Sequence, residues 1–189
     1  MPIISTTKMT ARQFLHLGED PPDVRLELVD GEVAVSASPL PQHSHVVVAL
    51  TSILFNHIQA NGLGMLLADC DTIFGELDVR RPDLLFFTRD RQHLVRSNRA
   101  IDGAPDLCVE VPSKGTEDVD RVDKFKQYAE GGVQHYWIVD PASLTVEWFT
   151  LNGNQYRLSG SASRNEVVRL APFLMLDISL SQIWFPQAK

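Results

Sequence analysis

The spacing of apolar residues changes along this 189-residue chain, and the changes predict alternating helices and strands. The segment "MTARQFLHLG" has a helical period, and Thr10 is a suitable N-cap for it. The segment "VRLELVDGEVAVSAS" contains two β-rich runs, and Asp30 and Gly31 between them are a strong signal for a two-residue turn. We therefore expect a short helix followed by an N-terminal β-hairpin.

A longer helix is predicted from about residue 43 to residue 60, because its apolar residues recur with the helical period. Asn61 and Gly62 follow this segment and are expected to end the helix. Strands are predicted next around "GMLLADCDTIFGELDV" and in "PDLLFFT". An arginine-rich loop then separates these strands from the second half of the chain.

The second half of the chain begins with the order strand, helix, strand. The segment "DLCVEV" predicts a strand, residues 117–130 predict a helix, and "HYWIVD" predicts another strand. This order over residues 106–140 has the spacing of a crossover unit in a mixed or parallel sheet. Two further β-rich runs joined by "NGN" predict a hairpin that extends the sheet, and the tail after them predicts a short helix.

The composition is that of one globular domain. With 189 residues, of which 44% are hydrophobic, the chain can form one substantial core and is too short for two. Cys70 and Cys108 lie in apolar contexts without CxxC spacing, which favours buried, reduced thiols over a disulfide or a zinc site. No apolar run reaches the roughly 20 residues that cross a bilayer, and the N-terminus lacks the pattern of a signal peptide. We expect a single cytoplasmic domain over residues 1–189 without membrane contact.

The charge balance argues against a protein that wraps along nucleic acid. The chain has 24 acidic and 17 basic residues and a net charge of −7. One stretch differs, since residues 80–99 contain six arginines and two aspartates. This stretch predicts either a basic surface patch or solvated loop charges that balance acidic residues elsewhere.

Acidic residues occur in two predicted strands that are otherwise apolar. Side chains alternate along a strand, so Cys108 and Glu110 project to the same face of "PDLCVEV". Asp83 enters the apolar run "RPDLLFF". If the two strands are neighbours, Asp83 and Glu110 meet, and a proton or a cation must lie between them. An all-oxygen site suits Mg²⁺, which keeps several waters and leaves positions for a phosphate.

Glu27 and Lys124 complete the set of candidate site residues. Glu27 lies on a strand of the first hairpin, where it is either a third carboxylate of the site or a solvated residue. Lys124 follows Asp120 and precedes Tyr128 by four residues each, so the three share one face of an α-helix. Lys124 either forms a surface pair with Asp120, which spacing alone favours, or points towards Glu110. In the second case its ammonium could stabilise a phosphate or orient an attacking water.

Five segments of the chain, in this order, resemble the Uma2 family, also called DUF820, which is placed in the PD-(D/E)XK nuclease superfamily. The segments are "LELVDGE", "PLPQHSH", "VRRPDLLFF", "PDLCVEVPSKGT" and "DRVDKFKQYAEGGVQHYWIVDP". The resemblance covers about residues 25–146. It implies an α/β, restriction-endonuclease-like fold, in which helices flank a central mixed β-sheet that carries a metal-dependent phosphodiesterase site.

The resemblance also implies roles for single residues. Asp83 corresponds to the motif aspartate and Glu110 to the motif glutamate, so these two are the implied ligands of Mg²⁺ or Mn²⁺. Glu27 matches the acidic residue ahead of the family's hairpin turn. The superfamily's lysine would lie two residues after the glutamate, where this chain has Pro112. Lys124 fits the lysine that the family carries on the following helix, four residues before a tyrosine.

The loop after Glu110 and the residue His43 also bear on the resemblance. In the loop after the motif glutamate, Ser113 matches a serine of the family, whereas Lys114 and Gly115 depart from its pattern. His43 matches a recurrent histidine, which either caps or packs the start of a helix or touches the substrate. The shape of the loop is therefore the least defined part of the implied site.

The function implied by the resemblance is an endonuclease that uses Mg²⁺ or Mn²⁺ to hydrolyse phosphodiester bonds, with DNA as its nucleic acid by analogy with the superfamily. A homodimer is expected, because two-fold symmetry presents two sites to a duplex. The alternative is a nuclease fold that serves as a binding or assembly module. The net charge favours this module, and the set of two acids and a lysine opposes it. A Ser-His-Asp hydrolase lacks a G-x-S-x-G motif, and a zinc site at His43 and His45 lacks a third ligand.

Overall fold

The computed structural model has a mixed α/β fold with two mixed β-sheets and few helices. The structure describes residues 8–22, 24–37, 39–96, 100–113 and 119–186. Lys114 and Gly115, the positions that depart from the family pattern, lie outside these ranges.

Strands and helices are numbered in chain order. The strands are β1 Val24–Val29, β2 Glu32–Ala37, β3 Gly64–Ala68, β4 Thr72–Gly75, β5 Asp78–Arg80, β6 Leu84–Thr88, β7 Ile101–Asp102, β8 Leu107–Glu110, β9 His135–Asp140, β10 Thr145–Asn152, β11 Gln155–Ser163, β12 Val167–Val168 and β13 Ile178–Ser179. The α-helices are α1 Ala11–Leu15, α2 Pro41–Asn61 and α3 Phe125–Glu130. Other helical segments are a π-helix, Val119–Lys124, and two 3₁₀ helices, Arg89–Leu94 and Leu180–Gln182.

The first helix and the hairpin form as the local sequence predicts. The Thr10 hydroxyl accepts a hydrogen bond from the backbone N–H of Gln13, and the Gln13 side chain accepts one from the backbone N–H of Thr10. This capping box starts α1. Asp30 and Gly31 have positive φ angles of 48° and 75°, as a type I′ turn requires. The turn sets the antiparallel register of β1 and β2.

The long helix α2 begins two residues before the predicted start, because Pro41 is suited to the first turn of a helix. Gly62 ends the helix in the left-handed conformation. The buried face of α2 repeats every four residues and contains Val46, Leu50, Leu54 and Ile58. In the described ranges, no helix is long and apolar enough to span a membrane.

The larger sheet contains the predicted crossover and the predicted second hairpin. Its strand order is β11-β10-β9-β8-β6-β3, and β8 and β9 are its parallel pair. Leu107 and Val109 on β8 pack in the same apolar cluster as α2, whereas Cys108 packs with Tyr128 in a different cluster. The alternation predicted for this strand is therefore confirmed.

The N-terminal hairpin belongs to a second sheet with the order β2-β1-β5-β4-β7. The expected central mixed sheet corresponds to the six-stranded sheet alone. The pattern of apolar residues identified strands around residues 64–88, but it could not assign β4 and β5 to one sheet and β3 and β6 to another. The chain passes from the second sheet to the larger one at residues 81–83, which places Asp83 at the point of transfer.

Gly64 opens β3 where the backbone of β6 leaves no space for a side chain. A Cβ at this position would lie 2.0 Å from the carbonyl oxygen of Phe87. We expect Gly64→Ala to lower the free energy of unfolding by about 3 kcal/mol, because the paired strands must move apart. The measurement is urea unfolding.

Gly153→Ala is the matched control for this prediction. Gly153 also has a positive φ, of 65°, but no atom lies within 4 Å of the added Cβ. The free energy of unfolding of Gly153→Ala should fall by roughly 1 kcal/mol, because alanine disfavours the left-handed conformation. Equal losses in the two variants would contradict the predicted clash.

Candidate functional site

Asp83 and Glu110 converge at neighbouring strand ends, as the sequence predicts. Asp83 directly precedes β6, Glu110 ends β8, and Leu84 of β6 pairs with Val109 of β8 in antiparallel register. Asp83 Oδ2 also accepts a hydrogen bond of 2.8 Å from the backbone N–H of Val111. Both carboxylates are buried. The site therefore lies at one end of the β6 and β8 pair.

Lys124 points towards Glu110. Its Nζ donates a hydrogen bond of 2.9 Å to Glu110 Oε2, and the hydroxyl of Tyr128 donates one of 2.6 Å to Glu110 Oε1. Lys124 is buried, so of its two predicted arrangements the one that points towards Glu110 is observed. The side chain of Asp120 lies outside the described part of the structure. The carboxylate of Glu110 is thus held between a lysine and a tyrosine one helical turn apart.

The helix that carries Lys124 differs from its prediction. The described part begins at Val119 with the π-helical segment, and α-helical geometry starts only at Phe125. A π-helix has hydrogen bonds between residues five apart, so the four-residue periodicity does not apply before Lys124. From Lys124 to Tyr128 it does apply, and these two side chains reach the same carboxylate.

Glu27 is a buried member of an ion pair, and the alternative of a solvated hairpin residue is wrong. Its Oε2 accepts from Arg80 Nη1 at 3.1 Å, and its Oε1 accepts from the backbone N–H of Arg81 at 2.8 Å. Burial by itself raises the pKa of Glu27, but the charges of Lys124 and Arg80 and the hydrogen bond from Arg81 bring that pKa below its ordinary value. Glu27 is therefore ionised at neutral pH.

Arg80 and Gln127 connect Glu27 to α3, and sequence reasoning did not identify either contact. Arg80 Nε donates to Gln127 Oε1 at 2.6 Å, and Gln127 Nε2 donates to Asp78 Oδ1 at 2.7 Å. The same Asp78 oxygen accepts from the backbone N–H of Asp30 in the hairpin turn. A signal for this network was present, because Arg80 directly follows a predicted strand and an arginine that the fold buries there needs an acceptor. The network attaches α3 to the second sheet.

His43 contacts Asp83 from the start of α2. The distance between His43 Nε2 and Asp83 Oδ1 is 3.1 Å, and both side chains are buried. Burial by itself raises the pKa of Asp83, but His43, Lys124 and the backbone N–H of Val111 bring that pKa below its ordinary value. Because an ionised carboxylate only accepts, His43 Nε2 carries the hydrogen of this bond. His43 thus orients Asp83 in addition to packing at the helix start.

The carboxylates of Asp83 and Glu110 fit the ligand preference of Mg²⁺ or Mn²⁺. Each carboxylate offers about four lone-pair positions, which are hard oxygen donors of the kind these cations take. Mg²⁺ is commonly held by one or two carboxylates, with waters and phosphate oxygens as its other ligands. Among the described residues, no group of three or more histidine, cysteine, aspartate or glutamate side chains is arranged to hold a metal. Glu27 and the pair His43 and His45 therefore do not complete a larger metal site.

Several arginines of the arginine-rich stretch are paired with carboxylates and do not form the predicted basic surface patch. Three of its arginines form ion pairs with carboxylates of the fold: Arg80 with Glu27, Arg81 with Asp20 and Asp71, and Arg91 with Asp106. Arg99 lies outside the described ranges. For the three paired residues, the prediction that they balance acidic residues is confirmed, but Arg80 ends β5 and is buried, so it is not a solvated loop charge.

The two cysteines are free thiols, as predicted. Cys108 is fully buried and Cys70 partly buried. Burial raises the pKa of both thiols, and the nearby charges of Glu110 and of Asp69 act in the same direction on Cys108 and Cys70 respectively. Neither thiol is activated as a nucleophile.

Comparison with known proteins identifies the family. The sequence profile of Uma2, described as "Putative restriction endonuclease", matches residues 11–182. The chain belongs to the Uma2 family. A crystal structure of a "putative nuclease belonging to DUF820" from Anabaena variabilis has 20% sequence identity, covers 93% of this Uma2 chain and 97% of its own chain, and gives a TM-score of 0.76. At this identity the likeness shows a common fold. No curated protein matches the chain.

The buried pair of Glu27 and Arg80 in this Uma2 protein gives a testable prediction. Glu27→Gln leaves the guanidinium of Arg80, which is only 1% exposed, without its carboxylate. We expect a loss of about 3–5 kcal/mol in the free energy of unfolding at pH 7, because removal of one partner leaves a buried charge uncompensated. Urea unfolding measures this loss.

The pH dependence and a double variant are the controls. Because the pKa of Glu27 is lower in the folded than in the unfolded state, its stabilising contribution is complete above the ordinary value of 4.5 and is lost as the pH falls towards the lowered value. The stabilities of wild type and Glu27→Gln should therefore converge in acid. Replacing both Glu27 and Arg80 by apolar residues should recover most of the loss. Equal stabilities of wild type and Glu27→Gln at pH 7 would show that the pair is not stabilising.

Proposed function

We propose that this Uma2 protein is a metal-dependent endonuclease with a restriction-endonuclease-like fold, which hydrolyses phosphodiester bonds of nucleic acid. The observation that carries the proposal is the buried cluster of Asp83, Glu110 and Lys124, in which two acids from adjacent strand ends meet one lysine. DNA is the preferred substrate by analogy with the superfamily. The proposal also includes a two-fold dimer that presents two sites to a duplex in the cytoplasm.

Each residue of the cluster has a separate task in this proposal. Asp83 and Glu110 would hold Mg²⁺ or Mn²⁺, which when bound polarises a phosphoryl oxygen and lowers the pKa of a bound water. Lys124 keeps its ammonium beside the carboxylates and stabilises the negative charge that develops on the phosphate. Tyr128 and His43 orient the two carboxylates through the hydrogen bonds at 2.6 and 3.1 Å.

A second candidate is a binding or assembly module without catalysis, and the charge balance of the site favours it. Glu110 is paired with Lys124 and Glu27 with Arg80, so these acids are compensated without a bound metal. The net charge of −7 also disfavours attraction of nucleic acid. Saturable binding of a divalent cation separates the two candidates, because a module without a metal site does not bind one.

The metal prediction concerns the stability of the folded chain. Mg²⁺ and Mn²⁺ should stabilise the wild type by about 2.7 kcal/mol at a concentration of about 100 times Kd, because they bind the folded state only. Asp83→Asn and Glu110→Gln should each abolish this gain, since each removes a ligand charge. Thermal unfolding with and without the cation measures the effect.

Asp177→Asn is the matched control for the metal prediction. Asp177 is an exposed aspartate paired with Arg169 between β12 and β13, outside the cluster. Its variant should respond to the cation like the wild type. A wild type that gains no stability from either cation would favour the binding module, and equal gains in all variants would exclude Asp83 and Glu110 as ligands.

The lysine prediction compares two neighbours on the same helix. Lys124 is buried against Glu110, whereas the side chain of Lys126 is 75% exposed and lies 3.8 Å from Glu130. Lys124→Met should reduce cleavage by on the order of 10²-fold or more, because a charge that stabilises the transition state is removed. Lys126→Met should cleave almost normally.

Cleavage is assayed only on variants that retain the circular dichroism spectrum of the wild type, because Lys124→Met also leaves the buried charge of Glu110 without an ammonium. Normal cleavage by folded Lys124→Met, together with loss of cleavage in Lys126→Met, would show that the wrong lysine has been assigned to the reaction.

A further inference from the structure

Arg25 is a cation of the site to which neither the resemblance nor the motif residues assign a role. It lies on β1, two residues before Glu27, so the two side chains project to the same face of the hairpin. Its Nη2 is 2.6 Å from Asp69 Oδ1, and its Nη1 is 3.6 Å from Asp83 Oδ1. Arg25 therefore brings a further positive charge to the candidate metal ligand.

Solvent access distinguishes Arg25 from the other cations of the site. Its side chain is 24% exposed, compared with 11% for Lys124 and 1% for Arg80. A polymeric substrate approaches from solvent, and it meets the most exposed of these three cations first. Lys124 and Arg80 are instead buried and paired with the buried carboxylates of Glu110 and Glu27, at 2.9 and 3.1 Å.

The contacts of Arg25 leave part of its guanidinium available for another acceptor. The distance of 3.6 Å to Asp83 is longer than a hydrogen bond, so Nη1 is attracted to this carboxylate by charge alone. Asp69 holds the other amino group at 2.6 Å and thereby restricts the orientation of the side chain. A guanidinium presents five N–H donors in a planar fork that matches the geometry of a phosphate.

We infer that Arg25 is a substrate-binding residue, whose Nη1 donates to a non-bridging oxygen of a nucleic acid phosphate beside Asp83. The inference rests on the proposed function and adds the residue that receives the substrate. A contact of this kind also offsets the repulsion between a phosphate and the carboxylates of the site. The charge of the phosphate replaces the weak contact with Asp83, while Asp69 continues to anchor the side chain.

The salt dependence of nucleic acid binding tests this role, because removal of an arginine that has only a structural role leaves the salt dependence unchanged. The association constants of a labelled DNA duplex and of its single strand are measured by fluorescence anisotropy over a range of NaCl concentrations. The buffer contains Ca²⁺ in place of Mg²⁺, since Ca²⁺ also takes oxygen ligands. Loss of one phosphate contact should reduce the slope of log K against log salt by about 0.9 for the duplex or about 0.7 for the single strand. We expect this reduction in Arg25→Gln, and no reduction in Arg25→Lys, which keeps the charge.

Arg169→Gln is the control, because Arg169 is also paired with an aspartate but lies between β12 and β13. It should have the slope of the wild type. If Arg25→Gln does not fold, Arg25→Met replaces it, since methionine keeps the apolar part of the side chain. A folded Arg25 variant without charge that retains the slope of the wild type overturns the inference, and so does an equal loss of slope in Arg25→Lys.

Failure of the inference is distinct from failure of the proposed function. In the first case the wild type binds nucleic acid, and the variants at position 25 have the same slope of log K against log salt as the wild type. In the second case the wild type binds neither the duplex nor the single strand and cleaves neither in Mg²⁺, which rejects the nuclease and the role of Arg25 together.

Discussion

The buried ion pair of Lys124 and Glu110 is the interaction on which the arrangement of the site depends. Its atoms are 2.9 Å apart, and the two side chains are only 11% and 3% exposed. Both charges have lost most of their hydration, so each is tolerated in the fold only while the other is present. Tyr128 donates to the second oxygen of the same carboxylate. These contacts hold the helix against the end of β8 and place an ammonium next to Asp83.

The positive and negative charges around this pair nearly cancel, and this affects how a cation or a phosphate binds. Lys124 lowers the pKa of both Glu27 and Asp83, while Arg80 compensates Glu27 directly. A divalent cation alone would add positive charge to a nearly neutral cluster, and a phosphate alone would add negative charge. Under the proposed function, the two bind more favourably together than separately, because their charges offset each other.

Local sequence signals predicted those features whose causes are local. Asp30 and Gly31 adopt the left-handed conformations of a hairpin turn, and Thr10 forms its capping box, because these contacts need only adjacent residues. Alternation along β8 predicted that Cys108 and Glu110 share one face and that Leu107 and Val109 take the other, and the structure shows that α2 packs on the face of Leu107 and Val109. Asp83 and Glu110 were expected to meet if their strands are neighbours, and the pairing of β6 with β8 fulfils this condition.

The sequence by itself determined the order of helices and strands and the hairpin turn, because periodicity and turn chemistry act over a few residues. The tertiary structure decided how the strands divide between two sheets and which charges are buried together. Glu27 and Arg80 are 53 residues apart, and Arg25 approaches Asp83 across a similar separation. No local pattern encodes such pairings, since they form only when separate elements pack and remove the same charges from water.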